Sequence, residues 1–122
     1  MINSISITII ADNISKAVDI DLLKEKLSAI LPEETIHQST TAYTKFHDAY
    51  KMEFAVPVAD HPDKEKRLYL MVSLAESIAR PWLLYFDKEG DNTELIFNRD
   101  EHTQLTQAAF HPIRWAHIQL IY

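Results

Sequence analysis

The side chains in this sequence best suited to acid–base or metal chemistry are its histidines. There are six of them: His37, His47, His61, His102, His111 and His117. Imidazole titrates near neutral pH and is the commonest metal ligand in proteins. His111 and His117 are six residues apart, so on one strand they would lie roughly 20 Å from each other, too far to share an ion. We therefore predict separate surface or half-buried histidines, and expect no metal and no other cofactor.

Two histidines stand beside an aspartate in the sequence, His47 with Asp48 and His61 with Asp63. A neighbouring carboxylate can orient an imidazole and raise its pKa, as in an acid–base pair. Both pairs fall where a turn or the start of a helix is predicted, and aspartate is favoured at such positions for backbone reasons alone. We interpret both pairs as structural and predict that the protein is not an enzyme.

Two features of the composition exclude whole classes of active site. The 122 residues include no cysteine, which excludes disulfides, thiolate nucleophiles and cysteine-bound metals. They include one glycine, Gly90, whereas phosphate-binding loops, dinucleotide-binding motifs and the nucleophile elbow each need at least two. Nucleotide-binding and α/β-hydrolase chemistry are therefore not expected.

The charge of the chain is acidic, with 18 Asp and Glu against 12 Lys and Arg, a formal net charge of −6. This balance disfavours nucleic acids and anionic membranes as partners and favours a basic protein. Between residues 87 and 101, six acidic residues outnumber two basic ones. We predict that these six form a partner-binding surface: Asp87, Glu89, Asp91, Glu94, Asp100 and Glu101. The competing interpretation is a solvated turn that protects a sheet edge from aggregation.

The element that would position this surface is a β-hairpin over Pro81–Arg99. Its sequence, PWLLYFDKEGDNTELIFNR, contains two apolar runs separated by a charged turn that holds Gly90. Apolar runs joined by a short polar segment with glycine are typical of hairpins. The carboxylates would then project into solvent from its tip.

Hydrophobic periodicity predicts the remaining elements. Alternation of polar and apolar residues indicates strands over Asn3–Ile9, Ala49–Val58 and Ile113–Tyr122. The segment Thr35–Thr44 is rich in threonine and serine, which indicates a solvent-facing strand. Apolar residues three and four apart indicate one helix capped by Asp19 or Asp21 and ended by Pro32, and a second running from Asp60 to Ile78. A buried strand over Leu68–Ser73 is the alternative to the second helix. A short helix capped by Asp100 is expected within Arg99–Pro112.

These elements predict a single α+β domain over residues 1–122, with an antiparallel or mixed sheet of about five to six strands and two main helices. The first six elements follow the ferredoxin-like βαββαβ order, to which further C-terminal strands would be added. The longest run without a charged residue, His102–Ile113, is shorter than the ~20 residues of a membrane helix. A soluble cytoplasmic protein, monomeric or weakly dimeric, is expected.

The C-terminal segment ELIFNRDEHTQLTQAAFHPIRWAHIQLIY resembles bacterial immunity proteins of polymorphic or contact-dependent growth inhibition toxin systems. The resemblance covers about a quarter of the chain. It rests on the strand Ile96–Asn98, a polar insert, and a closing aromatic strand that contains Trp115 and Ile118. It implies a non-catalytic inhibitor that binds a basic toxin, such as a nuclease, and presents carboxylates where substrate phosphates would bind.

Two other functions are compatible with the sequence. One is a small-ligand-binding or enzymatic domain with a pocket between sheet and helices, contacted by Tyr85, Trp115 and His117. The other is an assembly subunit whose exposed strand, Thr35–Thr44, pairs across a symmetry axis.

Overall fold

A computed structural model describes residues 3–58, 64–86 and 93–121 of the chain. Its elements, in chain order, are β1 (Asn3–Ala11), α1 (Ala17–Ile30), β2 (Ile36–Ala42), β3 (Tyr50–Val58), α2 (Lys64–Glu76), β4 (Ala79–Arg80), β5 (Leu83–Phe86), β6 (Thr93–Asn98), β7 (Gln104–Leu105), a 3₁₀ turn (Ala108–Phe110) and β8 (Ile113–Ile121). The predicted α+β class is confirmed.

Six of the strands form one antiparallel sheet in the order β2-β3-β1-β8-β6-β5. β1 lies at the centre, with Ile7 opposite Phe54 of β3 on one side and Ile118 of β8 on the other. Among the strands that follow the second helix, the one that pairs with β1 is the last, β8. The strands added to the βαββαβ order, β5 and β6, precede this closing strand in sequence and extend the sheet beyond it.

Alternation along β1 determines which face of the sheet is buried. Ile5, Ile7 and Ile9 have no exposed surface, whereas Ser6 and Thr8 between them are half-buried. The buried side chains belong to a single hydrophobic core to which α1 contributes Leu23 and Leu27 and α2 contributes Met71, Leu74 and Ala75. Both helices thus pack on the same face. We call the opposite face, on which none of the described helices packs, the open face.

The helix α1 begins earlier than predicted. Lys16 occupies the N-cap without a side-chain hydrogen bond, and Asp19 lies in the first turn, so the prediction that Asp19 or Asp21 is the cap is wrong. An acidic residue in the first turn still interacts favourably with the helix dipole, and this produces the same sequence signal as a cap. The end of α1 at Ile30 is as expected, because the residue before Pro32 is excluded from helical geometry.

The second predicted helix is confirmed as α2, and the alternative strand over Leu68–Ser73 is not formed. Its predicted entrance at residues 60–63 lies outside the described residues. The helix ends two residues before the predicted Ile78, because Ala79 and Arg80 leave it to pair with Leu105 and Gln104 in a two-stranded sheet. In the described part of the chain, no helix combines the length and the apolar character that crossing a membrane requires.

The hairpin is confirmed in its strands, since β5 and β6 pair antiparallel with Leu84 opposite Leu95. Its turn, residues 87–92, lies outside the described residues. The predicted helix capped by Asp100 is a 3₁₀ turn at Ala108–Phe110 instead. Asp100 bonds locally, because its carboxylate accepts from the His102 N–H and its own N–H donates to the Thr103 hydroxyl. Such side-chain bonds stabilise a turn in preference to a helix.

Replacement of Phe54 by alanine tests the position of the core. Phe54 has no exposed surface, so Phe54→Ala should lower the free energy of unfolding by about 3–5 kcal/mol through the cavity that it leaves. Urea denaturation measures this loss. The control is Ile36→Ala on β2, where the side chain is 56% exposed and the expected loss is under about 1 kcal/mol. Equal losses in the two variants would contradict this assignment of the buried face.

Candidate functional site

The structure locates three of the six predicted acidic residues. Glu94 lies half-buried on β6, and Asp100 and Glu101 are exposed just after the other end of that strand. The ends of a six-residue strand are about 17 Å apart, so these described carboxylates flank β6 without forming one compact cluster. Asp87, Glu89 and Asp91 lie outside the described residues, in the segment that joins β5 to β6.

Glu94 is held in place by the closing strand. Its Oε1 atom lies 2.9 Å from Nε2 of His117 on β8, and the His117 ring stacks on that of Trp115 with centroids 5.7 Å apart. The sequence places Trp115 and His117 on one face of β8 but does not reveal which strand lies beside it. The pairing of His117 with Glu94 was therefore not predicted.

The open face exposes apolar side chains beside Glu94. Leu83 and Tyr85 of β5 are 55% and 51% exposed, and they lie opposite Ile96 and Glu94 in the register of the sheet. We call these four residues, Leu83, Tyr85, Glu94 and Ile96, the β5–β6 patch. An exposed apolar centre with a polar border is the usual composition of a protein–protein interface.

At the far end of the open face, a buried carboxylate joins three distant segments. Asp12, just after β1, is 3% exposed. Its Oδ1 atom lies 3.0 Å from Nη1 of Arg99, and its Oδ2 atom lies 3.0 Å from Nη1 of Arg114. Burial by itself raises the pKa of Asp12, but the hydrogen bonds and charges of Arg99 and Arg114 outweigh it, so this pKa lies below its ordinary value of 3.8. We call these three residues the Asp12 network.

A β-bulge in β8 brings Arg114 into this network. The register of β1 against β8 shifts so that Ile10 faces Trp115 while Ala11 faces Ile113, which leaves Arg114 as an extra residue. Ile113 and Ala116, three residues apart, are both fully buried, whereas Arg114 and Trp115 between them are not. A bulge re-aims side chains in this way. The bulge therefore directs two neighbouring residues away from the core.

Beside the Asp12 network, the open face contains a cavity of about 480 Å³. The sheet forms its floor, and the loop between β2 and β3 forms a wall together with Arg114. The lining residues are Thr8, Ile10, Tyr43, Phe46, Lys51, Asn98, Arg114 and Trp115. The guanidinium carbon of Arg114 lies 3.8 Å from the centre of the Phe46 ring, and the Tyr43 and Phe46 rings are 5.5 Å apart. We call this the open-face cavity.

Two of the described histidines contact side chains that are close to them in sequence. His47 lies 2.9 Å from Asp48, but its side chain is 88% exposed, and His37 bonds the Thr40 hydroxyl. Within residues 3–58, 64–86 and 93–121, there is no group of three or more metal-ligating side chains. The pair formed by His61 and Asp63 lies outside those ranges.

The aromatic residues divide between the two faces of the sheet. Phe97 and Phe110 are fully buried in the core. Tyr85, Trp115 and His117 lie on the open face, so these three do not line a pocket between the sheet and the helices. A cavity does lie beside α2, lined by residues that include Val72, Trp82 and Leu95. Tyr85, Trp115 and His117 do not line this cavity.

Comparisons with protein-family models, with curated proteins and with solved structures give no match for this chain.

Neutralising Asp12 tests the importance of its network. Asp12→Asn should lower the free energy of unfolding at neutral pH by about 2–3 kcal/mol, because two arginines then face an uncharged group. The pKa of Asp12 is lower in the folded than in the unfolded protein, so the carboxylate stabilises the fold fully at pH values above its unfolded-state pKa. This stabilisation is lost as the pH falls through the folded-state pKa. The difference between wild type and variant, measured by urea denaturation, should therefore narrow below pH 3.8.

Asp48→Asn is the matched control for this experiment. Asp48 pairs with the exposed His47, and its positive φ of 49° is well tolerated by asparagine. We expect a loss of under about 1 kcal/mol, as for other exposed ion pairs. A loss for Asp12→Asn that is no larger, or that stays constant down to acid pH, would refute the role of the network.

Proposed function

We propose that this protein is a non-catalytic inhibitor of the immunity-protein type, which binds and neutralises a basic toxin domain in the cytoplasm. The observation that carries the proposal is that the two strands of the β5–β6 patch are connected by an acidic segment of the chain. Three of the six residues in segment 87–92 are acidic and one is basic. That segment connects the two strands that carry the patch.

The charge of the protein suits a cationic partner. A net charge of −6 attracts a basic protein over a distance of about 10 Å at moderate salt and raises its rate of association. Nucleases that bind phosphates are basic at their active sites, and carboxylates can occupy the same positions as those phosphates. A nuclease toxin is therefore the partner that fits this chemistry best.

The β5–β6 patch supplies the apolar contact that charge alone does not. Leu83 and Tyr85 are each more than half exposed, and burial of such side chains at an interface contributes affinity, mainly by slowing dissociation. Glu94 is already oriented by His117. A side chain that is fixed before binding loses little conformational entropy on association.

The described geometry favours binding over catalysis. Two of the three described histidine–carboxylate contacts, those of His47 and His102, involve imidazole side chains that are 88% and 79% exposed, and neither residue lines the open-face cavity. His117, the most buried of the three, makes its contact with Glu94 at the patch. General acid–base catalysis normally uses such groups inside a cleft with access to a substrate.

Co-expression with the toxin tests the proposal directly. The candidate partner is the C-terminal domain encoded by the reading frame immediately upstream of the gene for this protein. Its expression alone should stop growth, and co-expression of this protein should restore it. The two purified proteins should form a complex. A toxic upstream domain that this protein neither binds nor neutralises would contradict the proposal.

Charge reversal tests the acidic surface. Glu89→Lys combined with Asp91→Lys should reduce the association rate with the toxin domain about tenfold or more at low salt, and should make binding less sensitive to added salt. Stopped-flow kinetics at several salt concentrations measures both effects. The matched control is Glu33→Lys with Glu34→Lys, an equal charge change at exposed positions after α1. Equal effects of the two double variants would exclude a local acidic site.

Truncation of Tyr85 tests the apolar part of the patch. Tyr85→Ala should raise the Kd for the toxin domain about tenfold or more, chiefly through faster dissociation, because aromatic residues at the centre of an interface dominate its affinity. The control is Tyr69→Ala on α2, whose side chain is 76% exposed on the helical side of the sheet. Surface plasmon resonance resolves the two rates. No change for Tyr85→Ala would place the interface elsewhere.

A further inference from the structure

We propose that the open-face cavity binds a small planar aromatic molecule that carries a single carboxylate. This inference goes beyond the proposed function, because the cavity and the β5–β6 patch have no residue in common. Asn98 lines the cavity, and Glu94 of the patch is four residues away on the same strand, a separation of about 13 Å.

The aromatic residues of the cavity select a flat ring. Tyr43, Phe46 and Trp115 are each half-buried, and all three line the cavity, so part of each ring is accessible from inside it. Ile10 adds an apolar surface to the floor. Aromatic rings attract one another at centroid distances of 4.5–7 Å in offset or edge-to-face geometry. A planar ligand between these rings would displace water from the surfaces of several rings at once.

The charges around the cavity select a single negative charge. Lys51 and Arg114 line it, and Arg99 shares Asp12 with Arg114. Two carboxylates pair with these three cations. Asp12 pairs with both arginines, and Glu53 lies 3.0 Å from the Lys51 ammonium. These five groups together carry one net positive charge, and the charged side chains that line the cavity, Lys51 and Arg114, are both cations. One carboxylate balances that charge, whereas a di- or triphosphate would bring an excess of negative charge.

Neutral polar groups in the cavity complete the match. Thr8 offers a hydroxyl and Asn98 an amide, which can bond a carboxylate oxygen or a ring substituent. The volume of about 480 Å³ lies within the range of about 300–1,000 Å³ that is usual for small-ligand sites. An aromatic acid with one or two rings suits this volume.

The wall of the cavity is preformed. The loop between β2 and β3 is closed by a bond from the Tyr43 N–H to the Ala49 carbonyl, at 2.8 Å, and tied to the segment after β1 by a bond from the Ile14 N–H to the Asp48 carbonyl, at 3.0 Å. Stacking of Arg114 on Phe46 joins this loop to β8. A site that is ordered before binding loses little entropy when the ligand enters.

The probe for the test is indole-3-acetate, and 3-methylindole is its uncharged counterpart. Titration of the ¹⁵N-labelled protein alone is followed through the indole N–H signal of Trp115. The indole of Trp82, which donates to the Ala79 carbonyl and does not line the cavity, serves as an internal reference. We expect saturable shifts of the Trp115 signal, with indole-3-acetate binding about tenfold tighter than 3-methylindole.

Variants separate the charge from the ring contacts. Lys51→Gln should weaken binding of indole-3-acetate about tenfold and leave 3-methylindole unaffected, whereas Phe46→Ala should weaken both. The matched control is Lys45→Gln, the same charge change at an exposed position of the same loop, for which less than a twofold effect is expected. The proposal is overturned if the Trp115 signal does not shift up to about 10 mM, if the two probes bind equally, or if the two lysine variants behave alike. The toxin plays no part in this experiment, so its outcome is independent of the proposed function.

Discussion

The structure of the open face depends on one buried carboxylate, that of Asp12. Burial of an isolated carboxylate is strongly unfavourable, and it is tolerated here because two guanidinium groups donate to it. Two backbone hydrogen bonds join the same segments: the Asp12 N–H donates to the Pro112 carbonyl, and the Arg99 N–H donates to the Arg114 carbonyl. The ends of β1 and β6 and the start of β8 are thereby held in a fixed arrangement.

The β-bulge at Arg114 links this network to the shape of the surface. Without the extra residue, strict alternation would bury either Arg114 or its neighbour Trp115. With it, Arg114 reaches Asp12 while its guanidinium covers Phe46, and Trp115 stacks on His117. The bulge thus places Arg114 at the open-face cavity, where it lies against Phe46. Sheets commonly carry bulges next to functional sites for the same reason.

Local patterns in the sequence predict the core well. The alternation of Ile5, Ile7 and Ile9 identifies β1 and its buried face without ambiguity, since period two has one structural interpretation over that length. β4 and β7 were missed because two residues are too few to show a period. The cap of α1 was misplaced because an aspartate in the first turn and an aspartate at the cap produce similar sequences.

The features that shape the open face depend on contacts distant in sequence. Asp12 is 87 residues from Arg99 and 102 from Arg114, and no local signal marks it as anything other than a polar loop residue. The same holds for Glu94 and His117, 23 residues apart, whose contact requires the strand order. Ile113 and Ala116 are a partial exception. Two core positions three residues apart in a strand indicate a bulge once both are known to be buried.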